Sequence, residues 1–170
     1  KDGIKKLGIE EDNLTHQEYK KIAPFVSQVE HFDLSPLRIT KDSDELKALR
    51  KACMIGDKIF THILSELKPG ITEKEVSFMM EALMKQNNAT PAFETIVAFD
   101  ANAAFVHHKT NNQKLKKNSM ILMDFGVRYN NYCSDMSRTI FMGKASSVQK
   151  KAYQIVLTAQ KLATEFIEQK

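Results

Sequence analysis

Ile121-Leu122-Met123-Asp124-Phe125-Gly126-Val127, followed after a short polar turn by Tyr132-Cys133-Ser134-Asp135-Met136-Ser137-Arg138-Thr139, decides how this chain folds. The first run is apolar on both sides of Asp124, the pattern of a strand buried on both faces with a carboxylate inside it. A buried Asp requires a partner, because stripping water from an unpaired charge is costly. Tyr129-Asn130-Asn131 supplies turn residues between the two runs, so together they read as a β-hairpin. A two-residue turn at Tyr129-Asn130 sets positions 124 and 135 directly opposite each other. Moving the turn to Asn130-Asn131 slides the register by two and leaves both Asp on one face.

Directly opposed strand residues have Cβ atoms about 5 Å apart, and like charges there repel. A shared proton with one raised pKa would offset this, and so would a divalent cation, for which hard oxygen ligands are suited. The alternative is that one Asp faces solvent or pairs with Arg128 or Arg138; the apolar flanks of Asp124 favour the metal. Asp124-Phe125-Gly126 also matches the magnesium-binding triplet of protein kinases. That chemistry needs a Gly-rich phosphate loop and an upstream catalytic-loop Asp, and neither is present.

Upstream of the hairpin, residues 93–99 read as a buried strand and residues 100–112 as a loop. Within that loop His107-His108 is an adjacent pair whose side chains point opposite ways on extended backbone, so at most one serves a given site. The basic run over residues 113–117 reads as a solvated turn face. Asp42, with Glu45 three residues on, starts a long amphipathic helix carrying Leu46, Leu49, Cys53, Phe60, Ile63 and Leu67, stopped by Pro69-Gly70. Thr72 and Glu75 form a capping-box pattern for a second helix with Val76, Met80 and Leu83, ended by Asn87-Asn88; its Met stripe reads as core packing. Ser146 and Gln149 start a last helix bearing Val156, Leu157 and Phe166, expected to run to the final residue. In the first 35 residues, an apolar-basic end near Ile4 and Leu7 precedes a helical spacing of Tyr19, Ile22 and Phe25 and a strand-like alternation over residues 26–32. Asp33-Leu34-Ser35-Pro36 breaks this part from the rest.

One hundred and seventy residues support one modest domain or a domain with a scrap of another, which argues against a multidomain enzyme. A net charge of +4 and a pI near 9.0 are too mild to argue nucleic-acid binding, and no aromatics interleave the basic run for base stacking. No apolar run is long enough to span a bilayer. Cys53 and Cys133 stand far apart without a partner motif, which fits a reducing cytoplasm. The opening Lys1-Asp2-Gly3, without an initiator Met, reads as a piece of a longer chain.

Taken together, Phe93-Glu94-Thr95-Ile96-Val97-Ala98, Asn102, His107, Met123-Asp124-Phe125-Gly126 and residues 132–139 resemble the pita-bread metallopeptidases, in the Xaa-Pro aminopeptidase and prolidase branch. The fold expected from the resemblance is α+β. Residues 36–170 would form the first half of a pita-bread catalytic domain, and residues 1–35 the tail of a creatinase-like α/β N-terminal domain. The resemblance implies a dimetal hydrolase that cleaves the bond preceding proline in short peptides. Asp124 would bind one metal, Asp135 would bridge both, and His107 would face the substrate. Two divalent ions are implied, with manganese favoured and cobalt or zinc as other choices. A cytoplasmic homodimer is implied for the intact parent, without nucleic-acid or membrane partners.

The sequence departs from the family pattern at turn positions: Val106 stands where Pro is common, and Asp100, Ser119 and Asn131 where Gly is common. Asn131 is mild because Asn tolerates left-handed backbone, whereas Asp100 is the more demanding substitution. The family also completes its site with a further His and two Glu from a C-terminal half. This chain has no His after His108, and only Glu165 and Glu168 after Asp135. The expectation is therefore an inactive fragment that tends to associate. A competing reading is a non-catalytic protein- or peptide-binding module on a peptidase-like scaffold; retention of both Asp counts against it.

Overall fold

The computed structural model describes residues 3–169. Lys1 and Asp2 of the opening, and Lys170 of the helix expected to reach the final residue, lie outside the described residues. Contacts divide the chain into two units, one up to Leu46 and one from Lys47 onward.

In the first unit, β1 (Lys6–Ile9) is followed by α1 (His16–Ile22), a 3-10 turn (Ala23–Phe25), β2 (Gln28–His31) and α2 (Ser35–Ile39). β1 and β2 pair in parallel, with Lys6 beside Gln28 and Ile9 beside His31. Thr15 caps α1 by accepting from the Glu18 amide while Glu18 returns to the Thr15 amide. Arg38 clasps Glu10 bidentately at 2.8 and 3.0 Å. Asp33-Leu34-Ser35-Pro36, the stretch expected to break the chain, leads into α2. Proline at the start of a helix loses no hydrogen bond there, and its fixed φ suits the first turn.

α3 (Ser43–Glu66) follows; its cap is reciprocal, Asp42 accepting from the Glu45 amide and Glu45 from the Asp42 amide. The buried stripe of α3 is Ala48, Ala52, Ile55, Gly56, Ile59 and Ile63. It is rotated from the expected stripe: Leu46 and Cys53 are exposed, and Leu49, Phe60 and Leu67 are half-buried. At Gly56 the helix touches the hairpin. A Cβ on Gly56 would sit only 3.4 Å from Met136 and 3.8 Å from Ser134 and Val127. α4 (Glu73–Gln86) is capped by the Thr72/Glu75 box and buries Glu73, Val76, Ser77, Met80 and Met84. The Met stripe is core, as expected.

β3 (Thr90–Pro91) precedes β4 (Ile96–Phe99), so the strand expected from residue 93 begins at Ile96. β4 pairs antiparallel with β5 (Met120–Phe125), which pairs in turn with β8 (Met136–Phe141). A second sheet joins β3, β6 (Val127–Tyr129) and β7 (Tyr132–Cys133). The run Ile121–Val127, expected as one strand, is thus divided at Gly126, whose carbonyl accepts from the Ala92 amide at 3.0 Å. A Cβ there would meet the Ser134 carbonyl oxygen at 2.3 Å and the Phe93 ring at 2.6 Å, so only glycine fits. The core joins α3, α4 and the inward residues Ile121, Met123 and Phe125 of β5.

β5 is not buried on both faces. Ile121, Met123 and Phe125 are buried, while Met120, Leu122 and Asp124 are half-buried, because the helical core covers one face only. An open groove of about 700 Å³ lies along β8, lined by Met120, Thr139 and Phe141 and by Tyr153, Val156 and Leu157 of α5 (Ser147–Glu168). No residue of α5 is buried, so Val156 and Phe166 face solvent at 69% and 61% exposure. Among the described residues, no helix is long and apolar enough to cross a membrane.

Candidate metal centre and its supporting loop

The hairpin turn falls at Asn130-Asn131, with Arg128 opposite Cys133 and Tyr129 opposite Tyr132. Both turn asparagines have positive φ, 47° and 66°, the backbone that a two-residue turn of this twist demands. Asp124 therefore faces Ser137 rather than Asp135. The register of the turn and of the β5/β8 ladder is the same, which sets Asp135 diagonal to Asp124, on the same side by strand parity.

Between the two ladders, Ser134 is buried and locks the strand. Its amide donates to the Val127 carbonyl at 2.8 Å, and its hydroxyl accepts from the Val127 amide at 3.1 Å. That anchor fixes the backbone directly before Asp135. Asp124 is half-buried and Asp135 exposed, which corrects the expectation of a carboxylate inside a strand buried on both faces; of the two turn placements the structure has the one at Asn130-Asn131, with both Asp on one face and not directly opposed. Among the described residues, neither forms an ion pair with Arg128 or Arg138. The Arg138 guanidinium instead lies 5.9 Å from the Phe60 ring centroid, and its Nη1 donates to the Ser137 carbonyl. Two unpaired oxygen donors on one side of a hairpin fit a hard divalent cation. They form a partial set, since no cluster of three or more His, Cys, Asp or Glu able to hold a metal occurs among the described residues.

The loop upstream divides its two histidines, although residues 105–108 form a hydrogen-bonded turn rather than the extended backbone on which that division was expected. His108 turns inward and its Nε2 lies 2.9 Å from Glu73 Oε2, whereas His107 is exposed. Glu73 is fully buried at the first position of α4, where the helix N-terminus favours a carboxylate. It accepts from the Phe99 amide and Asn102 Nδ2, both at 2.8 Å, and from the Asn111 amide at 3.0 Å. The next stretch zips onto the same helix end: the Glu73 amide donates to Gln113, Lys74 to Asn111, and Leu115 to Ile71. In the basic run Lys114, Lys116 and Lys117 are exposed while Leu115 is core. Glu73 had no signal in the sequence beyond an acid in a helical first turn. The polar residues Asn102, His108 and Asn111, spaced along one loop, were the available hint of a shared acceptor.

Asp100 carries a φ of 51°, in the left-handed region. Its carboxylate accepts from Ser119 Oγ at 2.8 Å and from the Met120 amide at 2.9 Å, tying the loop to the start of β5.

Residues 47–170 match the model of metallopeptidase family M24. An Xaa-Pro dipeptidase of Pyrococcus horikoshii is 38% identical over 170 residues, covering 96% of this chain and 48% of that protein. An uncharacterized peptidase of Bacillus subtilis is 34% identical over 171 residues, 98% of this chain and 48% of its own length. The solved prolidase from Pyrococcus furiosus superposes with a TM-score of 0.84 at 35% identity, over 92% of this chain and 48% of that one. The chain thus spans about half the length of the relatives it matches.

Proposed function

This chain belongs to metallopeptidase family M24 and has the pita-bread fold of part of a prolidase, and from that premise we propose that it supplies half of a dimetal site for hydrolysing the bond before proline in short peptides. The observation carrying the reading is the placement of Asp124 and Asp135 on one side of the hairpin, diagonal in register and without a cationic partner. Asp124 would hold one divalent ion and Asp135 would serve both, manganese being the favoured metal. When bound, such ions lower the pKa of a shared water and polarise the scissile carbonyl. Ser134 keeps Asp135 at its register through Val127, and the exposed His107 ring contacts the peptide near the bond that breaks. Residues 36–170 act as the first half of the catalytic domain, and residues 1–35 as the end of a creatinase-like N-terminal domain. The working protein is a homodimer in a reducing cytoplasm, in keeping with two free, exposed cysteines. Assayed alone, the 170-residue chain is inactive, because it carries only part of the ligand set.

The test is isothermal titration of manganese into this chain and into the Asp124→Ala, Asp135→Ala double variant. Binding that disappears in the variant is the expected result. Equal binding in both, or none in either, would overturn the assignment of these two carboxylates.

A further inference from the structure

Glu73 is the one charged side chain fully buried among the described residues. Its four hydrogen-bond partners, Phe99, Asn102, His108 and Asn111, all come from one stretch of chain, while Glu73 itself sits on α4. An apolar residue would fill this position without the desolvation cost of a carboxylate. A carboxylate here does something an apolar residue cannot: it fixes the loop at several points at once. Those points bracket His107, with Asn102 ahead of it and His108 and Asn111 behind. The bracketed span closes on itself through the His108 amide, which donates to the Phe105 carbonyl at 3.1 Å.

We propose that Glu73 is a positioning residue, which holds the 100–111 loop so that His108 is committed inward and the His107 ring is presented outward toward the peptide. The proposal rests on the reading of His107 as substrate-facing, and the experiment separates the two.

The 170-residue chain and its Glu73→Gln variant are compared by amide hydrogen exchange, by the ¹⁵N shifts of the histidine rings, and by manganese-induced broadening of the His107 ring signals. In the native chain, His108 is expected in the tautomer protonated at Nε2. In Glu73→Gln, exchange at Asn111 rises by about tenfold or more, the fold-change implied by losing one hydrogen bond to a charged group. The Ile121 and Met123 amides keep their protection, His107 broadening falls severalfold, and manganese affinity is unchanged. Unaltered loop exchange, or a uniform rise that includes Ile121 and Met123, would overturn the positioning role. Broadening retained in Glu73→Gln would do the same. Absent broadening in the native chain would instead overturn the placement of His107 on which the proposal rests. Should Glu73→Gln not fold, His108→Gln and His108→Leu decide the matter. The amide of Gln can still donate to Glu73 and should restore loop protection, while Leu should not; equal behaviour of the two would refute the proposal.

Discussion

Asp100 Oδ2 accepts a hydrogen bond from Ser119 Oγ at 2.8 Å, so the side chains at two turn positions read as departures from the resembled pattern satisfy each other. Asp100 pays for its left-handed backbone with this bond and the one from the Met120 amide. Each residue taken singly looks unfavourable, and the pair is complementary. Asp100→Ala should cost about 1–3 kcal/mol, by losing both bonds and keeping the strained φ. Asp100→Gly should cost less, since glycine removes the strain. A double-mutant cycle with Ser119→Ala, read by urea unfolding, should give a coupling of about 0.5–2 kcal/mol; additive effects would mean the two residues do not act together.

Gly126 and Gly56 should respond to alanine in opposite directions. At Gly126 the new methyl would meet backbone at 2.3 Å, so Gly126→Ala is expected to lose about 3 kcal/mol or more and to weaken manganese binding by displacing the hairpin. At Gly56 the nearest atom is the flexible end of Met136 at 3.4 Å. Helix propensity then dominates, and Gly56→Ala should gain about 0.5–1 kcal/mol in chemical denaturation. A loss at Gly56 would show that the helix cannot shift even slightly against the hairpin.

The Thr72 amide and then its hydroxyl hold the Glu75 carboxyl below its usual value of 4.5, with Lys114 and Lys68 adding to the effect. A carboxylate whose pKa is lowered by folding contributes stability that is fully present above 4.5 and is lost as pH falls below it through the folded value. Glu75→Gln should therefore flatten the acid side of the stability profile. Thermal midpoints between neutral pH and the acid limb would reveal it, and an unchanged acid slope would show that the cap's charge contributes nothing.

The hairpin, the helical caps and the Met core could be read from the sequence because each depends on neighbours a few residues away. Thr72 with Glu75, and Asn130 with Asn131, carry their partners in the local sequence. The burial of β5 could not be read this way. The apolar run around Asp124 is compatible with one covered face or two, and only packing against α3 and α4 decides which. The rotation of the α3 stripe toward Ala48, Ala52 and Gly56 has the same origin: which face of the helix is covered is decided by partners distant in sequence, which periodicity of large apolar residues does not register. Glu73 escaped notice because its partners lie 26 to 38 positions away in sequence. The exchange of Gly for Asp100 and Ser119 was visible residue by residue, but the contact that reconciles them was not.

Between Gly3 and Leu46 no residue reaches the buried class, although this unit has two paired strands and two helices. The heat-capacity change of unfolding reports apolar surface newly exposed to water, about 12–15 cal/mol/K for each ordinarily packed residue. Melting this segment should therefore leave only a small step in heat capacity while remaining plain in far-ultraviolet circular dichroism. The heat-capacity step of unfolding should consequently belong almost wholly to the residues from Lys47 onward, whereas the optical signal reports both units.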